Sequence, residues 1–371
     1  MSNVMTRKLS PSKIGLAIAA PLAAAIFSIA ISSIAVIVSK KSPLEAFKTM
    51  WEYGTEVGSL MEIVNTATPY YIAAIAIAVT FRAGLFNIGG EGQLRLGALF
   101  SCYIGAMFVL PPVLHVAAVF IVAMTFGGLW AAIAAYLKVK RGVNEVISTI
   151  MLNSLAGGLS AYLLSKHFAL VEEGSNNLQT KQLPASAQVP DLMPLLRKIG
   201  VEDQPGGGVY GMFFVAVALG FIFWFVVNRT RFGFELRASG LNPIAARVSG
   251  VNSKKMTFIA LVISGAIAGL SGLPEVLGQT HSYNLGFPGI GFSAIAVALL
   301  GRNSAGGMAI SALLFGFLEV SSRSLELIDI APETYVIMQG SILLSSVVAY
   351  VVVRRLKLTL QSNELAKVVQ A

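Results

Sequence analysis

Charge is scarce in this chain. Only 12% of its 371 residues are Asp, Glu, Lys or Arg, against 55% hydrophobic residues, and the mean hydropathy is +0.74. That leaves too little polar side chain to cover a soluble globule of this size, so the chain reads as a polytopic membrane protein. Cysteine is nearly absent. Cys102 stands alone, which excludes an internal disulfide and fits no metal pattern, and leaves it as a small buried apolar residue. His115, His167 and His281 sit near the ends of apolar runs and make no metal set. No G-x-x-x-x-G-K-[ST] loop occurs, so the chain lacks the usual cradle for ATP phosphates. With neither an HExxH pair nor a Gly-x-Ser-x-Gly elbow, enzyme readings have no support.

What is present is a succession of apolar runs. Ile14 to Val38 carries no charge for about 25 residues, long enough to span a bilayer and too long for the core of a cleaved signal peptide, and it follows a basic tail with Arg7, Lys8 and Lys13. Further runs cover about 60–81, 94–110, 113–137, 143–165, 209–227, 256–273, 290–300, 307–320 and 335–353, which makes about ten helices. The net charge of +9 then speaks of orientation rather than nucleic-acid binding, because its basic residues cluster in the loops. Threading the runs alternately puts Arg82, the cluster Lys138, Lys140 and Arg141, Arg302, and Arg354, Arg355 and Lys357 on one side with both termini. By the positive-inside rule that side is the cytoplasm. The loop 168–208 falls on the other side. It is slightly acidic and rich in Pro and Gly, and reads either as a passive connector or as a contact surface for an external protein.

The longest charged segment between apolar runs is 229–255, where Arg229, Arg231, Arg237, Arg247, Lys254 and Lys255 oppose Glu235 alone. Inside it lies a miniature helix with both ends marked: Asn242 as N-cap, Pro243 at the first position, and Gly250 free to take the left-handed conformation at the far end. Ile244, Ala245 and Val248 fall on one side of the turn, with Ala246 and Arg247 beside them. Such a helix is too short to be stable alone. It is either an ordinary connection or an apolar knob that plugs into a soluble partner.

Threading also gives the second to fifth and the seventh to tenth helices opposite senses, two four-helix halves of inverted topology, a common transporter plan. Each half contains a Gly-rich break, Gly84 to Gln93 after the second helix and Tyr283 to Gly291 before the eighth. Non-helical backbone at membrane depth is tolerated where it is buried in protein or lines water. In the first break Glu91 and Arg95 are spaced to pair on one helical face, as a structural ion pair or at a path, while Asn87 and Gln93 carry donors and acceptors suited to sugar hydroxyls or base edges. Asn153 lies in mid-run and must bond across helices or face a path. Asn144 is expected to cap the fifth helix, with Glu145 near its positive end. Glu275 is expected to be solvated, Glu319, Arg323 and Glu326 to form a salt-bridge ladder, and Trp51, Trp130 and Trp224 to anchor at the interface.

Thr230-Arg-Phe-Gly233 followed by Arg237-Ala-Ser-Gly-Leu-Asn-Pro-Ile-Ala-Ala-Arg-Val-Ser-Gly-Val251 resembles the coupling loop of ABC-importer permeases of the ribose, branched-chain amino acid and nucleoside type. Phe81-Arg-Ala-Gly-Leu-Phe-Asn-Ile-Gly-Gly-Glu-Gly-Gln93, Asn144 to Asn153 and Ile295 to Arg302 resemble the nucleoside, basic-membrane-lipoprotein-associated branch. The family often places an aromatic residue after Asn153, where this chain has Ser154. The resemblance covers about residues 60–353. It implies a single all-α permease domain over 1–371 in the cell membrane, translocating nucleosides. It further implies that 229–255 is a cytoplasmic coupling loop, with Asn242, Pro243, Ile244, Ala245, Ala246, Arg247 and Gly250 docking on an ATPase. The partners implied are a second related permease, that cytoplasmic ATPase with its ATP and Mg, and an external substrate-binding lipoprotein; this chain would hold no cofactor. Asn87, Glu91, Gln93 and Asn153 are the residues expected along the translocation path. Other readings are a ribose-type sugar permease, an ion- or proton-coupled secondary transporter, and a passive channel or scaffold.

Overall fold

The structure is a computed structural model that describes residues 26–170, 178–203, 207–286, 289–345 and 348. The basic residues of the 1–13 tail, Glu172, Glu173, Pro205, and the terminal Arg354, Arg355 and Lys357 lie outside the described residues. The described chain is α-helical apart from one antiparallel pair of two-residue strands, β1 (Ala169–Leu170) and β2 (Gln179–Thr180). The helices are α1 (Ile26–Val38), α2 (Pro43–Gly54), α3 (Val57–Arg82), α4 (Gly90–Gly105), α5 (Pro112–Tyr136), α6 (Glu145–Leu163), α7 (Met193–Leu196), α8 (Met212–Arg229), α9 (Arg231–Leu241), α10 (Pro243–Val248), α11 (Ser253–Leu270), α12 (Leu273–Gly278), α13 (Gly291–Leu300), α14 (Ala305–Ser322) and α15 (Thr334–Ser345).

Each of the ten apolar runs contains a helix in its described part, although 106–110 of the run 94–110 is not helical. Six helices are long and apolar enough to cross a membrane, or seven if α1 and α2, bent by 109°, count as one span. The expected count of about ten full spans is therefore reduced at α4, with 16 residues, at α13, with 10, and at the described part of α15. At 1.5 Å per residue, sixteen residues reach about 24 Å and ten about 15 Å, short of a hydrocarbon core of about 30 Å.

The chain forms two compact units, 53–320 and the terminal segments 1–52 with 321–371. In the terminal unit the Ser28 and Ser341 hydroxyls share a hydrogen bond of 2.9 Å, and Lys41 pairs with Asp329 at 3.2 Å.

In the larger unit α11 packs along α5, α3 and α4. Small residues let these backbones meet. On α5, Ala123, Gly127 and Ala131 recur every fourth residue and face Gly265 and Gly269 of α11. A Cβ on Gly269 would strike the Ala123 carbonyl, and one on Gly97 of α4 would lie 2.7 Å from the Gly269 Cα. Where lipid tails are as apolar as the side chains, helices associate through close packing of this kind. Cys102 of α4 is fully buried as expected.

Helix ends follow local chemistry. The α3 helix ends in a Schellman turn: Gly84 takes φ +69°, Leu85 N–H donates to Thr80 and Gly84 N–H to Phe81. Asn144 caps α6, accepting from Val146 N–H at 2.8 Å, and Glu145 pairs with Lys138 at 2.7 Å. Glu275, expected in solvent, is half-buried on α12, whose other residues are buried. Glu319 accepts a hydrogen bond from the Tyr70 hydroxyl at 2.6 Å. The Trp130 indole donates to the Leu152 carbonyl at 3.2 Å, so this tryptophan joins two helices rather than serving only as an anchor.

The segment 178–211 is fastened to the helices rather than trailing free. Leu183 N–H donates to His281 O, Val189 N–H to Leu277 O and Gly211 N–H to Pro190 O. Asn65 of α3 donates to Gly208 O and accepts from Tyr210 N–H, both at 2.9 Å. Leu183, Ala187 and Met193 are buried beneath it.

Close packing at α11 sets an expected result. Gly269→Leu should abolish recovery of folded protein from detergent-solubilised membranes. Gly157→Ala, whose added methyl meets nothing within 4 Å, should leave recovery unchanged and raise stability by up to about 1 kcal/mol. Size-exclusion profiles and thermal unfolding of the two variants check this.

Candidate translocation junction and coupling helix

The two chain breaks meet. The α4 helix starts at Gly90 after the break 83–89, and α13 starts at Gly291 after 279–290. Glu91, in the first turn of α4, accepts the N–H of Gly291 at 3.0 Å through one oxygen and the Arg95 Nε–H at 2.6 Å through the other. A Cβ on Gly291 would lie 2.7 Å from the Glu91 Cα, so the heads of the two short helices touch backbone to backbone. One carboxylate thus sits at two positive helix ends and beside one guanidinium. The sequence reading of Glu91 and Arg95 as an ion pair on one face holds. Gly291 as its third member could not be read, since it lies 200 residues away.

The other expected path residues converge here. Asn87 and Gln93, each 1% exposed, form a reciprocal amide pair: Asn87 Nδ2 donates to Gln93 Oε1 at 3.1 Å, and Gln93 Nε2 donates to Asn87 Oδ1 at 3.2 Å. Asn87 also accepts Gly89 N–H and donates to Ser264 Oγ, both at 2.9 Å, and Ser264 in turn donates to the Ala76 carbonyl of α3 at 2.7 Å. Asn153 reaches across from α6, donating to Ile88 O at 2.8 Å and accepting Gly92 N–H at 2.9 Å. The break has no helical ladder of its own, and Asn87 and Asn153 supply partners to the Gly89 N–H and the Ile88 carbonyl within it. In this conformation Asn87, Glu91, Gln93 and Asn153 bond to protein. Ser264, a polar residue inside an apolar run, was the missed member, and that context was its signal.

Beyond the junction, Tyr283 is fully buried, its backbone N–H donating to Thr180 Oγ1 at 3.0 Å.

The second site is the loop 229–255. It is more regular than expected, because 231–241 is itself a helix. Thr230 caps α9 by accepting Gly233 N–H at 3.1 Å. Gly240 packs on the end of α3, where an added Cβ would lie 2.7 Å from Gly84 N and Ala83 C. Two glycines in eleven residues weaken a helix locally, and that contact offsets them. The α10 helix has the ends read from sequence. Asn242 Oδ1 accepts Ile244 and Ala245 N–H, both at 3.0 Å, and Gly250 takes φ +83° in a Schellman turn closed by Val251 N–H to Ala246 O and Gly250 N–H to Arg247 O. Ser253 Oγ donates to Pro243 O at 3.1 Å and ties the start of α11 to the start of α10. Ala246 is buried, while Leu241, Ile244 and Val248 are 88%, 77% and 86% exposed. Ala245 and Arg247 are exposed as well. The helix is held from below and offers an apolar ridge outward.

Residues 59–347 match the family model described as the permease component of branched-chain amino acid transport systems. The chain belongs to this permease family. It is 35% identical over 310 residues, 82% of its length and 85% of the relative's, to the guanosine ABC transporter permease protein NupP of Bacillus subtilis. It is 34% identical to the glucose ABC transporter permease protein TsgB13 of Haloferax volcanii, covering 84% of this chain and 82% of that one. With the nucleoside ABC transporter permease protein NupB of Lactococcus lactis it shares 29% identity, over 90% and 91% of the two chains. As a family member with several membrane-crossing helices, it is a multi-pass membrane permease.

Asn153→Ala is expected to leave Gly92 N–H and Ile88 C=O without partners, at a cost of about 2–4 kcal/mol. Thermal unfolding in detergent should show the loss. Ser154→Ala, beside it and not part of the junction, should unfold near the parent temperature.

Proposed function

We propose that this permease is one membrane subunit of an ABC importer for nucleosides, driven by a separate ATPase that grips α10. The observation that carries the reading is the build of α10. Six residues capped at both ends, anchored by Ala246 and presenting Ile244 and Val248 next to Leu241 at the end of α9, form an apolar projection on a basic loop. Such a ridge suits a groove on a soluble protein. The positive-inside rule places this loop, the basic termini and Arg302 in the cytoplasm. The segment 168–208 then faces outward, where a substrate-delivering lipoprotein would dock. In this reading α4, α13 and α15, together with neighbouring loops, complete ten crossings in two inverted halves.

In the proposed cycle, ATP and Mg bind the partner ATPase and its closure displaces α10. The motion passes through the Ser253 to Pro243 hydrogen bond and the contact of Gly240 with Gly84 to the end of α3 and the break 83–89. There the bonds among Asn87, Gln93, Asn153 and Glu91 rearrange, and a path beside them changes its exposure from outside to inside. The amides that hold the break closed are the groups that would meet sugar hydroxyls or base edges when it opens. A second, related permease would supply the other wall. Support for that comes from the paired relatives, NupP with NupQ and NupB with NupC.

Nucleoside specificity is supported by the names of relatives such as NupP and NupB. Similarity to a glucose permease at 34% identity favours simple sugars as the second reading. Competition decides: uptake of labelled nucleoside by cells expressing the complex should fall with excess unlabelled nucleoside and stay unchanged with excess glucose or ribose. The reverse pattern would establish the sugar reading. Ile244→Asp, which puts a charge on the exposed ridge without touching the helix caps, should reduce uptake at least tenfold at equal membrane abundance. Undiminished uptake would remove α10 from the mechanism.

A further inference from the structure

Where α9 meets the end of α3, two arginines carry buried donors and no acid. Arg82, the last residue of α3, donates its Nη2–H to the Asn303 carbonyl at 2.8 Å, while its Nε–H is buried with no acceptor. On α9 the Nη1 of Arg237 is buried without a partner, and so is the hydroxyl of Ser239. The backbones bring these side chains together. An added Cβ on Gly240 would lie 2.5 Å from the Arg82 carbonyl oxygen, and Arg237 stands one turn before Gly240 on the same helical face, about 5–6 Å away. Arg302, exposed and next to Asn303, adds a third cation. Arg302 and Asn303 both take left-handed φ, +53° and +52°, a conformation that costs arginine strain and persists where the surroundings impose it.

The acids of neighbouring segments are engaged elsewhere: Glu235 with Arg231 at 2.8 Å, Glu91 with Arg95 at 2.6 Å and Glu145 with Lys138 at 2.7 Å. Among the described residues none forms an ion pair with Arg82, Arg237 or Arg302. Charge withdrawn from water is costly unless it is paired. Arg82 and Arg237 remain half-exposed, so an acceptor can reach them from outside. The surroundings favour a soluble protein as its bearer. In its most apolar stretch α3 is 78% buried, against 28% for α5, α6 and α8, so its end lies inside the helix bundle rather than at the lipid-facing rim. Leu241 follows Arg237 by four residues on one face of α9 and continues into the exposed Ile244 and Val248. A body seated on that ridge covers Arg237.

We propose that Arg82, Arg237 and Arg302 form a socket for a carboxylate of the soluble protein that grips α10. The socket rests on the import reading above and adds to it a charged contact with α3 itself, one residue before the break 83–89. A planar guanidinium takes both oxygens of a carboxylate.

The test measures binding of the copurifying ATPase subunit to the full permease in phosphatidylcholine nanodiscs. Raising sodium chloride from about 50 to about 500 mM should weaken parent binding about tenfold. Arg237→Gln should bind about tenfold more weakly at low salt and change less than twofold with salt. Arg231→Gln, whose side chain is 92% exposed and pairs with Glu235, should stay within twofold of the parent. Arg237→Lys keeps the charge and puts an amine in the socket. A carbodiimide should then join it to the ATPase, the amine displacing urea from the activated carboxylate and forming an amide. Parent-like binding in Arg237→Gln, or an adduct confined to the permease's own carboxylates, overturns the socket and leaves the grip on α10, which Ile244→Asp reports separately. An Arg237 effect seen only in phosphatidylglycerol nanodiscs would assign the site to a lipid phosphate and overturn it too. A parent that binds no ATPase at any salt removes the import reading, and the socket with it.

Discussion

One carboxylate holds the centre of this permease together. Glu91 joins the N-terminal heads of α4 and α13 by accepting the Gly291 N–H, and Arg95 neutralises it from the next turn. Both helices are too short to span a membrane alone, so each exposes a head with unsatisfied N–H groups at depth, where water is absent and an unpaired polar group costs several kcal/mol, of order 2–7. Glu91 meets one of these N–H groups, that of Gly291 on α13, and Asn153 meets another, that of Gly92 on α4. In the first break Asn87 accepts the Gly89 N–H and Asn153 donates to the Ile88 carbonyl.

Such a junction is stable in place yet has an alternative state within reach. Its hydrogen bonds join side chains to interrupted backbone rather than closing a helix, so a small displacement of α3 can exchange partners without unravelling a span. In the proposed cycle the basic loop delivers that displacement. Its α9 helix lies on the end of α3 through the Gly84 and Gly240 backbones, with no side chain between them to absorb movement, and α10 is tied to α11 by Ser253. Three elements that enter the core are thereby connected to one exposed apolar ridge. On the other end, the segment 178–203 is sewn to the same core by backbone hydrogen bonds.

Much of the coupling helix was legible residue by residue. Asn242, Pro243 and Gly250 act within a few positions of themselves, and capping is local chemistry that survives whatever the rest of the chain does. The same holds for Asn144 at α6 and for the pair Glu91 and Arg95 one turn apart. The α9 helix was not legible, because Gly233 and Gly240 weaken it locally and are present for close approaches to α8 and α3. Gly127, Gly265 and Gly269 carried a four-residue spacing that points to helix contact, although the spacing names no partner. Glu275 was misjudged as solvated because its neighbour Pro274 suggested a chain end, whereas α12 continues into the packed interior.

The sequence by itself determined that this is a membrane protein, where its apolar runs fall, how α6 begins, how α10 begins and ends, and which family it resembles. These follow from composition, period and short motifs, all of which act over a few residues. Only the tertiary structure decided that the two breaks meet and that Glu91 serves a helix 200 residues on. It also decided that Asn153 spends its hydrogen bonds on the backbone of Ile88 and Gly92, and that Asn87 bonds to Gln93, Ser264 and Gly89. A polar side chain inside an apolar run announces that it needs a partner, but the partner is chosen by how the helices pack.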